Sequence, residues 1–81
     1  MNMTIEELGK ILAEVNEKAP RKKLVVWIHL FGIQFHEQIK QYGSKAVVEA
    51  SGINLSYFAE VNKGVNLAEY VTLNNPFPPN F

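Results

Sequence analysis

The chain has 81 residues, 47% of them hydrophobic, with equal numbers of basic and acidic side chains. That length holds one small domain with a modest core, which oligomerisation would help to stabilise, and the composition excludes a disordered chain. The zero net charge lacks the basic surplus common among nucleic-acid binders, and the absence of cysteine excludes a disulfide frame, a thiolate metal site and a thiol nucleophile.

The charge is nevertheless segregated. Residues 21–45 hold Arg21, Lys22, Lys23, Lys40 and Lys45 against Glu37 alone, while glutamates outnumber lysines on either side. The acidic start MNMTIEEL does not read as an export signal. The longest apolar stretch, Leu24 to Phe35, is interrupted by His29, Gly32 and Gln34. It falls short of the roughly 20 residues a membrane-spanning helix requires. The expectation is a cytoplasmic protein without a membrane segment.

Thr4 with Glu7 three residues on is a capping-box pattern, so a first helix should begin near Ile5. Ile5, Leu8, Ile11, Leu12 and Val15 then form one apolar stripe. Pro20 ends the helix near Lys18. The next segment, residues 21–42, carries Leu24, Trp27, Ile28, Phe31, Phe35, Ile39 and Tyr42 at spacings of three and four. It reads as one long helix, apolar on more than one face. A strand over residues 24–31 is the alternative, because Val25 to Ile28 are β-prone. Gly43 stops this segment and Ser44 caps the next helix.

Residues 44–64, SKAVVEASGINLSYFAEVNKG, read as two short helices around a turn at Gly52, Ile53 and Asn54. Asn54 caps the second helix and Gly64 closes it; Asn66 caps a last turn. The tail NNPFPPNF holds three prolines, which exclude helix and favour an extended path. The fold expected is all-α: a compact four-to-five-helix domain over residues 1–73 containing a helix-turn-helix at 44–64, then an extended Pro-rich tail at 74–81.

Residues 44–64 resemble the helix-turn-helix of the phage-repressor-like superfamily. The matching positions are Gly52, which permits a sharp exit from the first helix, Ile53, the cap Asn54, and the apolar Phe58 and Val61. The resemblance implies that Phe58 and Val61 bury the second helix against the first. It departs at Val48, where the family usually has alanine. The whole chain is also similar to small prokaryotic helix-turn-helix-like proteins of unassigned activity, through EELGKIL, IHLFGI and SGINLSYFAEVNKGVNLAEYV.

If the unit binds double-stranded DNA, its second helix presents Asn54, Leu55, Ser56, Tyr57, Glu60 and Lys63, with Lys22, Lys23 and Lys45 on phosphates. Asn54 serves equally as a plain helix cap, Tyr57 as a packing residue, and Arg21 to Lys23 as a solvated turn. No arginine lies in the motif, and arginine to guanine is the commonest specific contact. Excess apolar surface suggests a homodimer through Trp27, Leu30, Phe31, Phe35 and Phe77. His29 and His36 are seven apart, about 10 Å along a helix, too far to share an ion, and read as structural. No nucleophile triad and no glycine-rich phosphate loop is visible. The expectation is a non-enzyme without cofactor, metal or small-molecule substrate. Its function reads as a prokaryotic or phage transcriptional regulator. The alternative is a protein-interaction module that keeps the shape without the DNA.

Overall fold

The computed structural model describes residues 3–79. Helix α1 spans Ile5–Lys18, α2 Leu24–Gln34, α3 His36–Tyr42, α4 Ser44–Ser51 and α5 Phe58–Leu67, with a 3₁₀ turn at Leu55–Tyr57 leading into α5. Among the described residues, all regular structure is helical.

The first helix forms as its sequence dictates. Thr4 accepts the Glu7 amide at 3.1 Å, and Glu7 Oε1 accepts the Thr4 amide at 2.8 Å, so the capping box is complete. Leu8, Leu12 and Val15 are fully buried from its stripe. After Pro20 a tight turn closes through the Lys23 amide to the Pro20 carbonyl, 2.9 Å. Lys22 sits in it at φ 68, a left-handed conformation.

Residues 24–31 are helical, so the strand alternative is excluded. The single long helix over 21–42 is also corrected. The backbone leaves helical geometry at Phe35, with φ −109 and ψ 25, and α3 starts anew. His36 Nδ1 bonds the Ile33 carbonyl at 2.9 Å, an acceptor that an unbroken helix would offer to residue 37. The break lets Phe31 of α2 and Ile39 of α3 both reach full burial in the common core.

Gly43, at φ 93 and ψ 142, occupies the cap position of α4 that the sequence assigned to Ser44. Ser44 instead lies in the first turn, and its hydroxyl donates to Asn62 Oδ1 at 3.1 Å. Val47 and Val48 are fully buried. Gly64 does not close the last helix. It is a buried interior residue of α5, because α5 crosses α2 there with no room for a side chain. A Cβ on Gly64 would stand 2.3 Å from the His29 carbonyl oxygen, and one on Gly32 would stand 2.5 Å from that of Val61. Residues 68–70 continue as a turn.

The described tail, up to Pro79, carries no helix. Phe77 is buried and meets the Trp27 ring edge-on, centroids 5.4 Å apart and planes at 84°. Asn80 and Phe81 of the expected tail lie outside the described residues, as do Met1 and Asn2. No described helix is long and apolar enough to cross a membrane.

Candidate nucleic-acid interface

The turn between α4 and α5 is built from short-range chemistry. Gly52 takes φ 79 and ψ 0, and its amide reaches the Glu49 carbonyl at 3.3 Å. The Ser51 hydroxyl donates to the Val48 carbonyl at 2.6 Å and accepts the Ile53 amide at 3.2 Å. Asn54 Oδ1 accepts the Ser56 amide at 2.9 Å. Its cap role is therefore filled, as expected of a polar residue opening a helix.

One expected anchor is wrong. Phe58 is 41% exposed, whereas Tyr57 packs against the core. The 3₁₀ turn sets the register: Tyr57 and Val61, four apart, face inward, followed by Gly64 and Val65. Tyr57 is thus a packing residue rather than part of the exposed face.

Glu60 is also turned away from the outer face. His29 of α2 donates its Nε2–H to Glu60 Oε1 at 2.7 Å, since a carboxylate only accepts. Lys63 Nζ stands 3.4 Å from Glu60 Oε2. The bond from His29 holds the Glu60 carboxyl below its ordinary 4.5, against some desolvation, with a smaller contribution from Lys63. Glu60, named as a DNA contact from sequence, is partly buried against His29, and Lys63, also named, reaches it from the surface with its side chain 63% exposed. Lys63 keeps an exposed stem, and Lys22, Lys23 and Lys45 are fully on the surface.

The exposed stripe of the helix combines Asn54, Leu55, Ser56, Phe58, Ala59, Asn62, Lys63 and Asn66. Phe58, Asn62 and Asn66 were not singled out from sequence as base-facing residues. Asn62 already lies within the expected helix; Asn66, four residues on, is hidden because that helix stops at Gly64. Of the expected dimer contacts, Phe31 is fully buried in its own protomer and Phe77 is buried against Trp27. Neither offers surface to a second copy. Trp27 and Leu30 line a groove with Leu73 and the tail residues Pro76 and Pro79, and Phe35 is half-buried. Large apolar side chains that do remain exposed include Val25, Val26, Leu67 and Tyr70, the last at 83%.

A short helix, a glycine-hinged turn and a second helix bearing an open amide stripe define a helix-turn-helix protein. The family comparison agrees. The chain belongs to the family described as an HTH-like domain, whose model matches residues 4–74. The match covers all five helices and not the turn alone. No curated protein and no solved structure matches the chain.

Proposed function

We propose that the protein binds double-stranded DNA, with α5 in the major groove, and acts as a prokaryotic or phage transcriptional regulator. The observation that carries this reading is the set of exposed polar groups along the second half of a helix-turn-helix: Asn54 and Ser56 in the turn that leads into α5, and Asn62 and Asn66 on α5 itself. Such groups suit base edges and phosphates. Lys22, Lys23 and Lys45 supply positive charge for the backbone. The reading includes no catalytic step, and the absence of cysteine fits a reducing cytoplasm.

The active form in this reading is a homodimer whose two α5 helices meet grooves about 34 Å apart. Val25 and Val26 on α2, Leu67 at the end of α5, and Tyr70 and Val71 just beyond it are exposed apolar side chains available for self-association. The test is fluorescence anisotropy against a pool of random duplexes, with sedimentation alongside. Binding that weakens steeply with salt is expected. No binding at low salt overturns the reading, and a monomer at high micromolar concentration overturns the dimer.

A second reading is favoured by Leu55 and Phe58, 43% and 41% exposed at the start of the helix. Together with a Lys63 already paired to Glu60, they suit a protein groove. In that case Leu55→Asp abolishes capture of a protein partner while the double replacement Lys22→Ala and Lys23→Ala does not.

A further inference from the structure

We propose that α5 reads A·T base pairs, taking adenine through Asn62 and Asn66 and thymine methyl groups through Leu55, Phe58 and Ala59. The inference rests on the DNA reading above and specifies its target. In the major groove, guanine offers two acceptors and is met by arginine or lysine. Cytosine offers an amine and is met by a carboxylate. Adenine offers one donor and one acceptor, which an amide side chain matches, and thymine offers a methyl group.

The stripe is depleted for the first two bases and supplied for the others. The helix has no arginine, and the ammonium of its one lysine, Lys63, lies beside Glu60. Glu60 is the helix's one carboxylate; its side chain is only 24% exposed, held toward α2 by His29 on one oxygen with Lys63 on the other. What remains outward beside Lys63, whose ammonium lies 3.4 Å from Glu60 Oε2, is amide and apolar. Asn62 is positioned by Ser44, whose hydroxyl donates to Oδ1 at 3.1 Å. A carbonyl oxygen keeps a second lone pair, and the amide nitrogen keeps two hydrogens. The amide edge therefore retains the donor and the acceptor that adenine requires. Phe58 lies one helical turn before Asn62, and Leu55 three residues before Phe58, both left in water in the free protein. Thymine methyl groups would cover them.

The experiment is anisotropy with the full chain at fixed low salt, on an A·T-rich duplex pool and a G·C-rich pool. The tightest A·T duplex is then remade with uracil for thymine, which removes only the methyl groups. The A·T pool should bind about 5- to 100-fold tighter, the range one well-made amide–adenine pair gives. Uracil should weaken binding by about threefold per contacted thymine, and Phe58→Ala should shrink that penalty. Ser44→Ala should lower affinity for the thymine duplex, because Asn62 loses its positioning bond. Equal binding of the two pools, or a uracil duplex held as tightly as its thymine parent, overturns the inference and leaves DNA binding standing. Failure to bind either pool overturns both and assigns the apolar stripe to a protein partner. The uracil comparison needs no variant, so it does not depend on how any substitution folds.

Discussion

Gly32 and Gly64 meet backbone to backbone where α2 crosses α5. A Cβ built on Gly64 would come within 2.9 Å of the Gly32 Cα as well as 2.3 Å of the His29 oxygen. Two effects compete when Gly64 becomes alanine. Helix propensity favours alanine by about 1 kcal/mol. Against it, the clashing atoms belong to backbone and cannot rotate away, and overpacking costs about 1–3 kcal/mol or more. The steric cost should win. Gly64→Ala should lower the urea midpoint, with a net loss of up to about 2 kcal/mol. An unchanged midpoint would place the two helices farther apart than described.

The bond between His29 and Glu60 sets a pH dependence. The Glu60 carboxyl is held below 4.5 in the folded state, chiefly by His29. A group lowered on folding stabilises above its unfolded value and ceases to do so as pH falls through the folded one. Stability should therefore decline as pH drops below about 4.5, through the range where Glu60 takes up its proton. Carbon-detected titration of Glu60 should show the lowered midpoint, and His29→Ala should move it upward. A midpoint unmoved by His29→Ala would remove that bond as the cause.

Tyr57 and Phe58 are neighbours with opposite roles. Tyr57→Ala should cost about 1–3 kcal/mol, because it removes part of the wall between the turn and the core. Phe58→Ala should cost less than about 1 kcal/mol, the range of surface changes. Denaturant melts of the two variants measure the difference directly. The reverse ranking would restore the register that the resemblance to phage repressors implies.

Lys22 occupies φ 68 without being glycine. Left-handed geometry costs an ordinary residue about 1–2 kcal/mol, and asparagine tolerates it better. Lys22→Asn should therefore keep or raise the melting temperature, by up to about 4 °C. Lys22→Val should lower it, since β-branched side chains suit that region least. If Lys22 also contacts phosphate, Lys22→Asn should flatten the salt dependence of DNA binding by about one charge.

Local signals carried much of the fold. Thr4, Glu7 and Pro20 bound α1 through contacts within a few residues, and Gly52 and Asn54 shape the turn in the same way. What escaped was set at long range. Gly64 reads as a helix stop because glycine commonly is one, and only the approach of α2 makes it an interior residue. The break at Phe35 follows from where the core lies, and the side chains on either side of it still keep a helical period. His29 and Glu60 are 31 residues apart, so no spacing rule connects them. The candidate site shares these errors: Asn54, Leu55 and Ser56 are exposed as expected, Glu60 is not outward, Asn62 lies within the expected helix without being singled out, and Asn66 lies beyond its expected stop.

The glycine crossing has an optical consequence. With no side chains between the backbones there, a displacement of α5 is expected to carry α2 with it. The protein's single tryptophan, Trp27, rides on α2 with Phe77 against its ring. Its emission should therefore respond to an event that shifts α5, and an unchanged spectrum on binding would show that α2 stays in place.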